Sequence, residues 1–176
     1  MVKNLLALNQ LEFGEDDVQF ERFDITSLIS GVLQSLDILI EQKEAQVIFR
    51  HKNPVYVWAD EFKVEQVVRN YVNNALNHVD GEKVIEIKIT QENDMAKITV
   101  FNTGTPIPEE DLPHIWEKFY KVDKARTREY GGNGIGLSIV KKIIEDHGGR
   151  IWASSKEGIG TEIHFVLRKY QEVIQE

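Results

Sequence analysis

The 176-residue chain contains no cysteine. That excludes disulfides, thiol nucleophiles and cysteine-ligated zinc, and it suits a reducing compartment. There is no basic block, and the formal net charge is −8. Nucleic acid and anionic membrane are therefore poor partners. No apolar run approaches the ~18 residues of a membrane span, and no secretory leader is visible. The five histidines (51, 78, 114, 147 and 164) form no His-x-x-x-His pair, which argues against zinc. No Gly-x-x-x-x-Gly-Lys-Ser/Thr loop occurs. The Gly132-x-Gly134-x-Gly136 run follows a charged loop, and its third glycine comes one residue too early for the dinucleotide fingerprint. P-loop and Rossmann readings both fail on this context.

What is present is an ordinary globular composition, 41% hydrophobic and 28% charged, long enough for one domain with a substantial core. Residues 1–13 predict a short helix with Leu5, Leu6, Leu8, Leu11 and Phe13 apolar and Gly14 as its stop. So short a helix cannot bury that face alone. Residues 18–23 alternate as a strand. Asp24 or Thr26 caps an expected helix running to about Ala45, and strands are expected at 46–51 and 55–58. Asp60 caps a second helix over 61–78. A hairpin follows at 83–91 and 95–102, turning at Glu92-Asn93-Asp94. A short helical piece is expected near 108–120, a third helix ends at Gly148-Gly149, and strands close the chain at 150–154 and 161–168. Three long helices on a mixed sheet predict an α/β two-layer sandwich.

Two patterns carry chemistry. Asn70, Asn73, Asn74 and Asn77 share the helix face opposite Val64, Val67, Val68, Tyr71, Val72, Ala75 and Leu76. Asparagine forms helices poorly, and a merely solvated face is normally Glu, Lys, Gln or Arg. A carboxamide oxygen suits Mg²⁺ that keeps most of its waters and bridges phosphates. The second pattern is glycine. Gly131, Gly132, Gly134 and Gly136 open onto an apolar-periodic run. A helix start without Cβ atoms offers close backbone approach and free N–H groups to an anion. Asn102-Thr103-Gly104 and Gly158-Ile159-Gly160-Thr161 add two further glycine turns. Between the first two glycine segments lies a basic loop holding Lys121, Lys124, Arg126 and Arg128, suited to close over a polyphosphate.

In this order the pieces resemble the catalytic and ATP-binding domain of sensor histidine kinases, in the gyrase/Hsp90/histidine-kinase/MutL superfamily. The resemblance rests on an asparagine box at 66–75, a first glycine box at 102–107 and a phenylalanine box at 116–120, followed by glycine boxes at 132–137 and 158–161. It implies a Bergerat-type sandwich with a mobile lid, roughly 121–132, that binds ATP with Mg²⁺. By that match Asn74 ligates Mg²⁺, Asn70 sits beside the phosphates, Asn102 meets the adenine amino group and His78 lies near the base. Gly132, Gly134 and Gly136 bring backbone N–H groups to the phosphates, and Lys121 and Arg126 contact them from the lid. Asn77, Gly104, Ile107, Phe119, Tyr120, Ile135, Leu137 and Thr161 complete the expected ATP pocket. The catalytic set is Asn70, Asn74, Lys121 and Arg126. Residues 1–14 resemble the end of a phosphoacceptor and dimerisation helix, 15–170 the catalytic domain, and 171–176 a tail.

The chain departs from the family pattern in three places. Asn102 stands where Asp is usual, Pro106 where a glycine is often found, and Asn77 where lysine is common. Asn70 also stands where ATPase members carry the glutamate that activates water, and a neutral carboxamide cannot act as a general base near pH 7. The resemblance therefore implies phosphoryl transfer rather than hydrolysis. The acceptor is expected to be a histidine on a separate domain of a longer, homodimeric, membrane-anchored parent, with a response regulator next in line. No histidine here is followed by Glu or Asp. The isolated domain is expected to be cytoplasmic and monomeric. Two other readings remain open: a serine kinase of anti-sigma type on the same fold, and a degenerate nucleotide pocket serving as an interaction module.

Overall fold

The computed structural model describes residues 17–117, 136–156 and 158–172. Strand β1 (Glu21–Asp24) leads into α1 (Ile25–Ser35) and the short α2 (Asp37–Gln42); β2 (Gln46–Phe49) and β3 (Tyr56–Ala59) follow. Helix α3 (Glu61–His78) precedes the hairpin β4 (Val84–Glu92) and β5 (Met95–Thr103). A 3-10 turn at Leu112–His114, helix α4 (Gly136–Asp146) and strands β6 (Arg150–Lys156) and β7 (Gly160–Arg168) complete the order. The five-stranded mixed sheet runs β2-β4-β5-β7-β6, parallel only between β2 and β4. Helices α1, α3 and α4 form the second layer, as the two-layer expectation required.

Local chemistry explains the elements. Asp60 starts α3 by accepting from the Lys63 amide at 3.1 Å, and its other oxygen accepts from the Gln19 amide at 3.0 Å. Asp24 does the same for α1, accepting from Thr26 N, Val55 N and the Ser27 hydroxyl. Burial alone pushes the Asp24 carboxyl up, but these hydrogen bonds together hold it below its ordinary value. Asn93, at φ 55°, makes the β4–β5 turn.

Two expectations are corrected. The first helix is two pieces, because at its end Ser35 Oγ donates back to the Val32 carbonyl at 2.7 Å and Leu36 leaves the helical region at φ −100°, ψ 9°. Strands β1 and β3 do not join the main sheet. They pair with each other, Glu21 opposite Ala59, as a separate ribbon. The remaining strand and helix bounds move by a few residues, and of the piece expected near 108–120 the described residues, to 117, hold only the 3-10 turn at Leu112–His114.

The core fills the space between the layers. Ile25, Ile29, Tyr71, Leu76, Ile85, Ile87, Ile98, Ile139, Ile143, Ile144 and Phe165 are fully buried. Burying such a side chain contributes roughly 1.5–3 kcal/mol. Tyr71 stands edge-on to Phe165 at 5.3 Å, and its hydroxyl donates to the His164 carbonyl at 3.0 Å. Desolvation pushes that phenol well above its ordinary pKa, so it stays a neutral donor.

Two buried histidines act as neutral connectors. His147, just past α4, accepts the Asp60 amide on Nε2 at 3.0 Å and faces the Ile143 carbonyl with Nδ1 at 2.8 Å. It thereby ties the end of α4 to the start of α3. His164, on the sheet face away from the helices, bonds Thr99 at 2.9 Å and Ser154 at 3.2 Å and stacks on Trp152. Desolvation lowers the pKa of both below 6.5, against opposing pulls from the Ile143 carbonyl and Asp60 on His147 and from Glu162 on His164. The unfolded chain therefore binds more protons below pH 6.5, and stability falls as pH drops through that range. Urea titrations should give a lower unfolding free energy at pH 5 than at pH 7.5. Replacing both histidines with glutamine should flatten that difference.

Candidate functional site

The inner face of the main sheet is a grid of rows set by the strand register. Ile89, Ile98, Phe165 and Ile151 form one row; Ile87, Val100, Ile163 and Ala153 form the next. The last row, at the end where β5 finishes and β7 begins, is Ile85, Asn102, Thr161 and Ser155. Alternation predicts apolar side chains at these inward positions, yet three of the four are polar. Asn102 is 3% exposed and Thr161 4%. Ser155 Oγ is buried with no hydrogen-bond partner. Buried polar groups are normally satisfied, so this row is built to meet a polar ligand or ordered water.

The Asn102 amide has a defined sense. Its Nδ2 donates to the Thr103 carbonyl at 3.1 Å. Oδ1 is thereby left as the acceptor.

The same end of the sheet is clamped to α3 by close backbone contacts. The Asp80 amide donates to the Thr103 carbonyl at 2.9 Å, and Thr103 Oγ1 donates to the Asp80 carbonyl at 2.8 Å and accepts from Val84 N at 2.9 Å. Gly104, at φ +142°, leaves no room for a Cβ, which would sit 2.8 Å from the His78 carbonyl oxygen. Its amide donates to the Ile159 carbonyl at 3.3 Å. At Gly160 a Cβ would overlap the carbonyl oxygen of Asn102. Both glycines therefore serve as close-approach points that lock the end of α3, the end of β5 and the β6–β7 turn together.

Helix α3 carries the expected asparagine face. Val64, Val67, Val68, Tyr71, Val72, Ala75 and Leu76 are buried, while Asn70, Asn73, Asn74 and Asn77 are half-buried. Among the described residues the four carboxamides have no hydrogen-bond partner. The stripe spans about 10 Å along the axis and ends at His78, which is half-buried beside the Gly104 contact. The His147 pin and the packing of α3 on α4 run the two helices in opposite senses. With equal rise per residue, Gly136 at the start of α4 then falls level with the Asn70–Asn74 turn. A helix N-terminus there favours an anion. Leu137 and Ile107 are half-buried and pack on the core.

Asn70, Asn74, Asn77, His78, Asn102, Gly104, Ile107, Gly136, Leu137 and Thr161 are thus placed on the α3 face, the adjoining end of the sheet or the start of α4. Phe119, Tyr120, Lys121, Arg126, Gly132, Gly134 and Ile135 lie outside the described residues, as do residues 1–14 and 173–176. Ser155 escaped the sequence reading. Its signal was the inward alternation Ile151, Ala153, Ser155, which becomes visible only once β6 is registered against β7.

The donor set is tested by what it holds. Among the described residues no group of three or more His, Asp or Glu side chains is arranged to hold a metal ion. A cation at α3 would depend on carboxamide oxygen, phosphate and water, a set that fits Mg²⁺.

A model of the family described as histidine kinase-, DNA gyrase B- and HSP90-like ATPases matches residues 59–171. This chain belongs to that family. The sensor histidine kinase WalK of Bacillus subtilis (strain 168) is 36% identical over 176 residues, covering 98% of this chain and 28% of WalK. The sensor protein kinase WalK of Staphylococcus aureus is 34% identical over 170 residues, covering 95% of this chain and 40% of that protein. The chain thus spans less than half the length of these relatives. The catalytic domain of histidine kinase ThkA superposes with a TM-score of 0.76 at 32% identity, covering 86% of this chain and 96% of the ThkA chain. The fold is therefore that of a histidine-kinase ATP-binding catalytic domain. Within this family the glycine at the β7 entry has a steric role here. Gly160→Ala must push β7 from β5 beneath Asn102 and should cost about 1–3 kcal/mol, read as a lower urea midpoint with an unchanged m-value.

Proposed function

We propose that this domain binds ATP with Mg²⁺ and transfers the γ-phosphoryl group to a histidine on a separate dimerisation domain of a longer sensor kinase. A response regulator is the next acceptor. The observation that supports this reading is the buried Asn102–Thr161–Ser155 row at the sheet end clamped to the C-terminal end of α3, the helix whose outer face carries the carboxamides, within a chain of this family. A solved structure of ThkA in complex with the response regulator TrrA is 25% identical to this chain, with a TM-score of 0.75, and supports the choice of downstream partner.

In this reading Asn102 Oδ1 accepts from the adenine amino group, a role it can fill because Nδ2 is committed to Thr103. As a neutral acceptor it reads the base without the charge of a carboxylate. Asn74 is the residue assigned to the metal, and Asn70 lies one turn earlier, beside the phosphates. Mg²⁺ supplies charge neutralisation on the phosphate oxygens. The chain's own contribution is positioning along α3 and at the first turn of α4, with water-activating base chemistry unavailable to Asn70. Among the described residues no helix is long and apolar enough to cross a membrane. A cytoplasmic placement, and membrane attachment of the parent outside this span, belong to the same proposal, as do the parent's homodimeric state and the monomeric state of this piece.

Titration calorimetry tests the site. Asn74→Ala should abolish Mg²⁺-dependent ATP binding while the circular dichroism spectrum is retained; unchanged affinity in the folded variant would remove Asn74 from the site. Labelled ATP tests the reaction. Phosphohistidine should form on an added acceptor-helix domain of the parent and not on this chain alone. Stable phosphohistidine on the isolated chain would contradict the transfer scheme, and absence of any nucleotide binding would leave the interaction-module reading.

A further inference from the structure

We propose that the Asn102–Thr161–Ser155 row accepts 6-oxopurine triphosphates as well as ATP. The inference rests on the reading that this row meets the base, and it adds a second class of substrate to that reading. Each of the three side chains has unused hydrogen-bonding capacity. Asn102 makes one side-chain bond, from Nδ2 to the Thr103 carbonyl, and no other among the described residues. Thr161 Oγ1 has no partner there, and Ser155 Oγ has none although it is buried. Asn102 and Thr161 are themselves almost fully buried. Buried polar groups are normally satisfied, so the selectivity of the row is set by the partners it can offer.

A carboxylate only accepts. At position 102 it would reject a base whose 6-substituent is a carbonyl oxygen, because two acceptors would face each other in a buried site. A carboxamide carries two N–H hydrogens. Thr103 is the next residue along the chain, so the hydrogen its carbonyl takes lies on the backbone side of the group. The second hydrogen stays beside Oδ1. Asn102 therefore presents an acceptor and a donor on one edge. Adenine matches that edge with its 6-amino donor and N1 acceptor. A 6-oxopurine matches it in the reverse order, with O6 as acceptor and N1–H as donor. Thr161 and Ser155 stand on the next two strands, at ~4.8 Å spacing. Their hydroxyls rotate to donate or accept, so neither fixes the choice. The Thr103 carbonyl also accepts the Asp80 amide at 2.9 Å, so it stays satisfied if the carboxamide adjusts. The backbone of Asn102 is held by the close approach of Gly160, which leaves the discrimination to side chains.

Titration calorimetry on the full chain tests this with ATP, inosine triphosphate and cytidine triphosphate, each with Mg²⁺. Inosine triphosphate should bind within about tenfold of ATP, because one set of neutral hydrogen bonds is exchanged for another. Cytidine triphosphate should bind more weakly than either. Asn102→Asp should keep ATP binding and widen the gap between ATP and inosine triphosphate to about 100-fold. Three results overturn the proposal. One is inosine triphosphate binding more than about tenfold below ATP on the unmodified chain, a comparison that no folding defect can confound. Another is cytidine triphosphate binding as tightly as inosine triphosphate, since the row would then not be reading the base. The third is an unchanged ratio of the two purine nucleotides in a folded Asn102→Asp variant. Failure of ATP itself to bind is a separate outcome, which removes the underlying reading and the proposal with it.

Discussion

The contact on which this structure depends is the approach of the Gly160 backbone to the carbonyl of Asn102. It brings β7 against β5 with no side chain between them. That spacing sets the row Ile85, Asn102, Thr161 and Ser155 in register beneath the helices. Gly104 repeats the device against the His78 carbonyl, so the polar end of the sheet and the C-terminal end of α3 are fixed to each other by backbone. A site assembled from backbone contacts tolerates less drift than one held by long side chains. The two elements that would face a nucleotide therefore keep their separation before any ligand arrives.

Helix α3 reconciles two demands that usually conflict. Its valines, with Tyr71, Ala75 and Leu76, supply the packing that holds the helix down, so the opposite face is free to carry asparagines that lower local helix propensity. The cost of four carboxamides is small beside the burial on the other side. The helix is further held at its first turn, where Asp60 caps it and is itself tied to His147 beyond α4. Neutral histidine is needed there as an acceptor on Nε2. The connection therefore weakens on acidification through the same proton that would charge the ring.

The departures from the family pattern look less severe in three dimensions than in one. Asn102 in place of a carboxylate is an acceptor whose orientation is settled by a neighbouring carbonyl. Two consequences follow from the same chemistry. Position 102 carries no charge to titrate, and the asparagine at position 70 offers no base to activate water. The second accords with the proposed phosphoryl transfer in place of hydrolysis.

Much of this was legible in the chain itself. Asp60 followed by an apolar stripe over 61–78 defined α3 to the residue, since capping and periodicity are local. The alternating runs around Asn93 defined the β4–β5 hairpin for the same reason. The asparagine face of α3 was legible as a polar, half-buried stripe because residue type and spacing along one helix are local properties. Separation of β1 and β3 into their own ribbon could not be read, because strand partners are chosen by contacts far apart in sequence. Nor could Ser155, which becomes part of the polar row only through its register with Thr161. Sequence by itself determined which elements form and which of their faces are polar. Tertiary structure alone decided which polar faces meet, because register and backbone approach are properties of pairs of strands and helices, not of any one segment.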